Sequence, residues 1–221
     1  MLAAPEMKRT VVAVGGFSSD SGKTTLVCEL LRALPGWEAV KVSRGHYRSC
    51  GRDPQACCVS PLLGEEPTVR SGRAETYAAG KDTGRYWDAG ASNVHWAIVT
   101  DRQVGAGVAL ALGRVSAPGV VVEGNSFLRH VEADYTVMVV RPDALKVKPT
   151  ARRALRSASA FYLSDDGRGI SAEAREAFER WRREQGEALR RLPVYTRESL
   201  PELVGQIRAA SLRSAPAAGG L

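Results

Sequence analysis

The segment that most constrains the fold of this chain is residues 16–25, Gly-Phe-Ser-Ser-Asp-Ser-Gly-Lys-Thr-Thr. It follows a short run of β-branched residues at 10–14 and precedes leucines and a valine at helical spacing. A glycine-rich turn between a buried strand and a helix gathers backbone N–H groups at the positive end of the helix, which suits phosphate oxygens. The pattern predicts a phosphate-binding loop in an α/β protein.

The residue types in this loop have defined chemical tasks. Lys23 is expected to reach the β and γ phosphates, the Thr24 hydroxyl to bind Mg²⁺, and Gly22 to let the backbone approach the phosphates without a Cβ. Five residues separate Gly16 from Gly22, and Phe17 stands where glycine is usual, so a plain glycine-rich turn is the alternative. The predicted nucleotide-binding residues are Ser19, Asp20, Ser21, Gly22, Lys23, Thr24 and Thr25.

A second nucleotide signal is Glu123, which ends the apolar run 120–122. Ligands of parallel α/β sheets bind at the carboxyl ends of the strands, so Glu123 is predicted to hold Mg²⁺ together with Thr24. The predicted catalytic residues are Lys23 and Glu123, with Asp20 or Asp82 orienting a nucleophile. The alternative for Glu123 is a solvated acid at the end of a strand.

Strand-like and helix-like segments alternate along the chain, which predicts a mostly parallel sheet with helices on both faces. We expect one domain over residues 1–213, with an irregular insertion at about 43–92 that holds short elements around a site. One helix is expected to present its apolar face from 174 to 192, and a capping box at 199–202 should start the last helix. Residues 214–221 are expected to be disordered.

Composition and charge narrow the class of protein. The chain has 221 residues and a net charge of +7, and its longest apolar runs fall far short of the ~20 residues that span a bilayer. With four cysteines and no export signal, a cytoplasmic protein with reduced thiols is expected. The basic run at 141–156 lacks interleaved aromatic residues, which favours an anionic small-molecule second substrate over nucleic acid.

Three cysteines and a histidine lie close together in the irregular segment: His46, Cys50, Cys57 and Cys58. Thiolates and imidazole are ligands for Zn²⁺ or an iron–sulfur cluster, so this group is a candidate second metal site. Its spacing is not a standard metal pattern, and adjacent cysteines rarely both bind one tetrahedral ion. Ordinary thiols without a metal are the alternative.

The order of these motifs resembles that of the molybdopterin-guanine dinucleotide biosynthesis adaptor proteins. The likeness runs from about residue 10 to 141 and includes Lys41 after the second strand, Gly-Lys-Asp-Thr at 80–83, Ala-Gly-Ala at 89–91 and Val-Glu-Gly at 122–124. It implies a GTP-binding P-loop protein that assists molybdenum cofactor maturation beside a cofactor-biosynthesis protein. The loop spacing is instead similar to that of dethiobiotin synthetase.

We therefore expect a P-loop NTPase fold that binds a nucleoside triphosphate with Mg²⁺ and hydrolyses it or transfers its phosphoryl group in cofactor biosynthesis. Two alternatives stay open: a nucleotide-dependent adaptor with little catalysis, and an ATP-dependent small-molecule kinase or ligase. ATP and GTP also stay open, because no Asn-Lys-x-Asp motif follows the strand at 161–163. A homodimer is not excluded.

Overall fold

The fold was analysed in a computed structural model, which describes residues 9–45, 60–165 and 167–214. Its centre is an eight-stranded sheet in the order β3-β4-β2-β5-β1-β6-β7-β8. The strands are parallel except for β3, which runs antiparallel to β4 at the edge. The strand bounds are β1 Thr10–Gly16, β2 Glu38–Arg44, β3 Thr68–Ser71, β4 Val94–Val99, β5 Gly119–Glu123, β6 Tyr135–Val140, β7 Ala160–Leu163 and β8 Val194–Tyr195.

Helices cover both faces of this sheet. Short 3₁₀ turns at Ser60–Leu62, Ser126–Arg129, Pro142–Ala144 and Leu155–Ser157 join some of the elements. The helix bounds are α1 Lys23–Ala33, α2 Arg73–Thr76, α3 Asp82–Asp88, α4 Val104–Gly113, α5 Pro149–Ala154, α6 Ala172–Glu184, α7 Glu187–Arg190 and α8 Leu200–Ser214.

Strand β1 lies in the middle of the sheet and is buried along its whole length. Successive side chains of a strand point to opposite faces, so its alternate apolar residues enter two separate cores. Val12 and Val14 pack with apolar residues of α1, α3 and α8, whereas Val11 and Ala13 pack with those of α4. The expected α/β architecture, a mostly parallel sheet with helices on both faces, is confirmed.

The insertion at 43–92 contains four short elements in its described part: the 3₁₀ turn Ser60–Leu62, β3, α2 and α3. Helix α3 approaches the preceding turn so closely that a Cβ on Gly84 would lie 2.1 Å from the carbonyl oxygen of Ala78. A glycine is required at this contact. The insertion therefore brings Asp82 and Tyr86, both on α3, to a fixed place beside the sheet.

Two predictions about helices are wrong in detail. The helix expected from 174 to 192 ends at Glu184, and Gly186 breaks it with φ 92° before α7 begins. Glycine adopts this conformation without the Cβ clash that other residues meet, so the helix ends here. The apolar spacing continues past Gly186, and it therefore predicted one helix where the structure has two. At the last helix, the Ser199 hydroxyl accepts from the backbone N–H of Thr196 and does not form the expected capping box.

The remaining expectations about elements concern length and the chain ends. Strands β3 and β8, of four and two residues, were not predicted because such short runs carry no readable periodicity. Helix α8 continues to Ser214, and the rest of the expected disordered tail lies outside the described residues. Within the described ranges, no helix is both long and apolar enough to cross a bilayer.

Candidate functional site

The loop between β1 and α1 has the backbone geometry that its sequence predicts. Asp20 and Gly22 both have positive φ, 53° and 88°, so the chain turns sharply before α1 begins at Lys23. A Cβ on Gly16 would lie 2.3 Å from the Ser21 hydroxyl oxygen, and one on Gly22 would lie 2.2 Å from that of Ser164. These close approaches explain why glycine stands at both ends of the loop.

Asn125 fixes the start of the loop and was given no role in the sequence analysis. Its side-chain oxygen accepts from the backbone N–H of Gly16 at 2.8 Å, and its amide donates to the Gly16 carbonyl oxygen at 2.8 Å. The paired bonds satisfy both backbone groups of the first loop residue, which the sheet alone leaves open. The position of Asn125, two residues beyond Glu123 at the same sheet edge, was the signal available.

Phe17 accounts for the unusual loop spacing. Its ring is buried, 4.8 Å from the ring of Trp181 and 6.1 Å from that of Phe161 between centroids, in edge-to-face arrangements. Its backbone N–H donates to the Val139 carbonyl oxygen at 3.0 Å, and its own carbonyl oxygen accepts from Lys148 N–H at 2.9 Å. The residue that replaces the usual glycine is thus an apolar anchor between the loop and the core.

The side chain of Lys23, the first residue of α1, reaches back into the loop. Its ammonium donates to the carbonyl oxygen of Ser18 at 2.9 Å and approaches the Ser21 hydroxyl oxygen at 3.4 Å. Burial lowers the pKa of Lys23, and the neighbouring charges of Lys41 and Lys148 lower it further, against the opposite effect of Glu123. An anion placed in the loop would reverse this balance, because it pairs with an ammonium that otherwise faces other cations.

Glu123 ends β5 beside the loop and is 3% exposed. The Thr24 hydroxyl donates to its Oε2 at 3.0 Å, the Lys41 ammonium to its Oε1 at 2.5 Å, and the Tyr86 hydroxyl also to Oε2. Lys41 is the direct register partner of Glu123 across β2 and β5. The solvated strand end considered as an alternative for Glu123 is therefore excluded.

Lys41 also binds Asp82, with 2.6 Å between Nζ and Oδ2, so one ammonium bridges two carboxylates. Burial alone would lower the pKa of Lys41, but the charges of Glu123 and Asp82 outweigh it and raise that pKa. Burial would likewise raise the pKa of Asp82, and it is outweighed by Lys41 and by hydrogen bonds from Lys41 and Thr24, so that pKa lies below 3.8. Lys41 and Asp82 are therefore both ionised at neutral pH.

Tyr86 is the second residue that the sequence analysis missed. It is fully buried on α3, and burial together with the charge of Glu123 raises its pKa well above 10. The phenol therefore stays protonated and donates to the carboxylate. Asp82 and Tyr86 lie four residues apart, on one face of α3, and this spacing was the signal that could have paired them.

These groups surround a cleft of about 460 Å³ at the carboxyl edge of the sheet. Every predicted nucleotide-binding residue lines this cleft, as do Asp82 and Glu123. Lys41, which the sequence analysis noted only within the family resemblance, and Arg85 also line it. The ammonium of Lys148, from the basic run at 141–156, donates to the hydroxyl of Ser19 in the loop.

The donor set of the cleft fits Mg²⁺. The Thr24 hydroxyl and the carboxylates of Glu123 and Asp82 are hard oxygen ligands, which this ion prefers over nitrogen or sulfur. Thr24 and Glu123 lie in direct contact, as the Mg²⁺ prediction required. The Lys41 ammonium neutralises the same carboxylates, so a bound metal ion would compete with Lys41 for them.

The candidate second metal site, His46, Cys50, Cys57 and Cys58, lies outside the described residues. Among the residues that the structure does describe, no group of three or more His, Cys, Asp or Glu side chains forms a metal cluster. Cys28 is buried on α1, where burial raises the pKa of its thiol and the thiol donates to the Arg85 carbonyl oxygen. The zinc or iron–sulfur prediction thus remains a prediction.

No protein-family model and no curated protein matches the chain. Among solved structures, HypB from Helicobacter pylori in complex with nickel is similar over 97% of this chain and 92% of its own, with 12% identity and a TM-score of 0.55. LpxK from Aquifex aeolicus in complex with ATP is 20% identical over 74% of this chain and 50% of its own, with a TM-score of 0.47.

The 54 kDa signal recognition particle protein from Aeropyrum pernix K1 in complex with GDP is 14% identical, with a TM-score of 0.48, over 96% of this chain and 50% of its own. The chain therefore spans half the length of LpxK and half that of the signal recognition particle protein. At these identities the likeness concerns architecture. The likeness to HypB, together with the sheet order and the loop geometry, shows that the chain has an α/β P-loop fold.

Proposed function

We propose that this protein binds a nucleoside triphosphate with Mg²⁺ in the cleft around the loop and hydrolyses it or transfers its terminal phosphoryl group. The observation that carries the proposal is the convergence of Lys23, Thr24 and Glu123 at the carboxyl edge of the sheet. This edge is where parallel α/β folds bind ligands, and the residue types are those that phosphoryl transfer requires.

Each group has a task that follows from its contacts. The loop N–H groups and the N-terminus of α1 hold the phosphate oxygens, and Lys23 neutralises charge on the β and γ phosphates. Thr24 and Glu123 would hold the metal ion, which supplies charge neutralisation between the phosphates when bound. Lys41 pairs with the carboxylates of both Glu123 and Asp82 in the free protein.

Asp82 is better placed than Asp20 to orient the attacking group. Asp82 lines the cleft and shares the Lys41 ammonium with Glu123, and its lowered pKa keeps it a hydrogen-bond acceptor at neutral pH. Asp20 lies on the exposed turn of the loop, where its φ of 53° serves the backbone path. We therefore assign the positioning of water or of an acceptor to Asp82.

The test is Lys23→Ala in a titration of ATP and, separately, GTP, each with Mg²⁺. We expect affinity for the preferred nucleotide to fall at least about tenfold, because a charge-assisted phosphate contact worth about 1.5–3 kcal/mol is lost. Lys146→Ala, which removes an exposed lysine of the basic run, is the matched control and should bind as the wild type does. Equal affinity of Lys23→Ala and wild type, with unchanged circular dichroism, would contradict the proposal.

We place this activity in cofactor biosynthesis or maturation. The support is the resemblance of residues 10–141 to the molybdopterin-guanine dinucleotide adaptor proteins, in particular the 80–83 segment that supplies Asp82 to the cleft. Cells that lack this protein should then lose activity of molybdenum-cofactor-dependent enzymes, and Lys23→Ala should fail to restore it. Full activity of those enzymes without the protein would reject this setting and leave nucleotide binding untouched.

A further inference from the structure

A second pocket, of about 510 Å³, opens on the far side of Lys41 and Asp82 from the loop. It lies between β2, β4 and the α2–α3 part of the insertion. Lys41 and Asp82 line both this pocket and the cleft around the phosphate-binding loop, which we call the phosphate cleft. The pocket therefore continues the phosphate cleft. Its other lining residues include Ser43, Arg70, Glu75, Tyr77, Lys81 and Trp96.

Two aromatic rings form the apolar walls of this pocket. The indole N–H of Trp96 donates to the Ser43 hydroxyl at 2.8 Å, which fixes the orientation of that ring. Tyr77 is 39% exposed, and the Arg73 guanidinium lies 4.2 Å from its ring centroid. Held rings of this kind, partly open to solvent, stack planar ligands at small cost in conformational entropy.

The charged groups at the pocket favour an anion. The Arg70 guanidinium lies 5.9 Å from the Trp96 ring centroid, and Lys81 is exposed at the N-terminal end of α3. Within the described ranges, neither Arg70 nor Lys81 forms an ion pair with a carboxylate. Glu75 also lines the pocket, but its carboxylate accepts from the Ser71 backbone N–H at 3.0 Å.

The pocket meets the phosphate cleft at the end where the terminal phosphate is expected. In a phosphate-binding loop the lysine reaches the β and γ phosphates and the following hydroxyl binds the metal ion between them. Here the Thr24 hydroxyl contacts Glu123, and Lys41 joins Glu123 to Asp82. A molecule in the pocket would therefore face the terminal phosphate across Asp82.

We propose that this pocket binds the second substrate of the reaction, a small planar molecule that carries an anionic group. The proposal rests on the proposed function, whose terminal phosphoryl group this molecule would accept. An oxygen of the acceptor forms the new bond to the terminal phosphorus, and the bond to the β–γ bridging oxygen breaks with its electron pair leaving on the nucleoside diphosphate. Where the acceptor oxygen is a hydroxyl, its proton passes to the Asp82 carboxylate.

This location differs from the one that the basic run at 141–156 suggested. Lys148 of that run contacts Ser19 in the loop, and Arg141 pairs with Asp143. None of the residues of the run, all of which the structure describes, lines the pocket. The anionic group of the second substrate is assigned to Arg70 and Lys81.

The experiment titrates three probes against the full chain by calorimetry, with and without a saturating non-hydrolysable ATP analogue and Mg²⁺. Naphthalene-1-sulfonate has both a planar ring and an anionic group, 1-naphthalenemethanol has the ring alone, and methanesulfonate has the charge alone. We expect saturable 1:1 binding of naphthalene-1-sulfonate, at least tenfold tighter than either other probe, whether or not the nucleotide analogue is bound.

Variants then locate the binding. Arg70→Ala with Lys81→Ala should weaken naphthalene-1-sulfonate at least tenfold, and the exposed-ring variant Tyr77→Ala should weaken it about fivefold, because each removes roughly 1 kcal/mol or more of contact. Lys146→Ala with Arg152→Ala is the charge-matched control and should leave the affinity unchanged. The same probe at saturation should slow nucleotide hydrolysis, since it displaces water beside the terminal phosphate.

The result that would overturn the proposal is an absence of saturable binding, or binding that the Arg70, Lys81 and Tyr77 variants leave unchanged. Binding lost in the Lys146 and Arg152 variant would return the second substrate to the basic run. Lys23→Ala separates this proposal from the proposed function, because it should weaken nucleotide binding at least about tenfold and leave the affinity for the probe unchanged. If the wild type binds the probe but no nucleotide, the proposed function is rejected. If it binds nucleotide but not the probe, the pocket is rejected as the binding site of the second substrate.

Discussion

Two buried glutamates lie at opposite edges of the same sheet, and their surroundings differ in kind. Glu38, at the amino end of β2, accepts from the Ser116 hydroxyl and from the backbone N–H groups of Ser116 and Ala117, and pairs with His95 at 2.7 Å. Glu123, at the carboxyl end of β5, is held by Thr24, Lys41 and Tyr86 and faces the phosphate cleft.

The two carboxylates differ in whether their present partners leave them able to bind a ligand. Backbone N–H groups of the turn after α4 supply part of the Glu38 network, and His95 continues it to the Ser71 hydroxyl at 2.8 Å. These partners are fixed by the fold. The partners of Glu123 include the Lys41 ammonium, at the end of a side chain with several rotatable bonds, and the Thr24 hydroxyl in the first turn of α1. Both groups can turn towards a ligand by side-chain rotation. A buried carboxylate at this second kind of place is a candidate for function.

The largest effect that this comparison predicts is on stability. Glu38→Ala should lower the free energy of unfolding by about 3 kcal/mol, because it leaves the buried His95 without its partner and also removes three hydrogen bonds from the 116–117 turn. Urea denaturation followed by circular dichroism measures this loss. Nucleotide affinity of the folded protein should stay within about twofold of wild type; a loss below about 1 kcal/mol, or a large fall in affinity, would break the comparison.

At the other edge the effect should be on turnover. Glu123→Gln retains the shape and a hydrogen-bond acceptor for Thr24 and Tyr86 but removes the charge that organises the metal ion. Turnover should fall about 10²-fold, a cost of roughly 2.7 kcal/mol in the transition state, with a smaller effect on nucleotide affinity. Phosphate release under saturating nucleotide measures it, with Glu132→Gln as a matched control at an exposed glutamate that lines neither cavity.

The same variant distinguishes a catalyst from an adaptor. If the wild type releases phosphate only at background rate, Glu123→Gln should instead change the Mg²⁺ dependence of nucleotide affinity. Wild-type turnover together with wild-type Mg²⁺ dependence in the folded variant would show that Glu123 is a structural residue like Glu38. The metal ion would then need other ligands, with Asp82 the next to replace.

A smaller effect is expected at the start of the loop. Asn125→Ala removes the two hydrogen bonds to Gly16 and should weaken nucleotide binding about fivefold, close to 1 kcal/mol, because the loop must then be ordered by the ligand. Ser126→Ala, at the next residue, is the control. Calorimetric titration of both variants decides the matter, and equal affinities would mean that the loop keeps its shape without Asn125.

The last prediction concerns the stability of the wild type and of Glu38→Ala at acidic pH. Burial raises the pKa of Glu38, but its hydrogen bonds to His95 and Ser116 outweigh burial, so that pKa is lowered from the usual 4.5. A lowered carboxyl pKa contributes stability that is present above the unfolded value and is lost as the pH falls through the folded value. Unfolding free energy should therefore decline below about pH 4.5, and less steeply in Glu38→Ala. Parallel acid limbs in the two proteins would contradict this.

The surroundings of Glu123 and of Glu38 also differ in how much of them the sequence predicted. The loop and Glu123 follow from local pattern, because strand, glycines, Lys-Thr and the strand-end acid lie where the chain order alone puts them. Asp82 was reached through the family resemblance. The pairing of Glu38 with His95 was out of reach, since it depends on the register of β2 and β4, in which Val40 lies opposite His95.

Tyr86 and Asn125 were missed for related reasons. Tyr86 reaches Glu123 only because the Gly84 contact with Ala78 sets the position of α3, and no periodicity in the insertion reports a tertiary contact of that kind. Asn125 follows Gly124 just beyond the end of β5, and a Gly-Asn pair after a strand is typical of an ordinary turn. In both cases the missing information was which elements meet, not which residue types were present.

The paired bonds between Asn125 and Gly16 have a consequence for the speed and cost of ligand binding. Ordering one residue of a flexible loop takes roughly 1–2 kcal/mol of conformational entropy, and a loop that is free before binding exacts that cost from the ligand. Here the Asn125 bonds and the buried Phe17 ring fix the loop's first two residues when the chain folds. Association with a nucleotide then needs no ordering at that end of the loop, so its rate should approach the diffusional encounter rate.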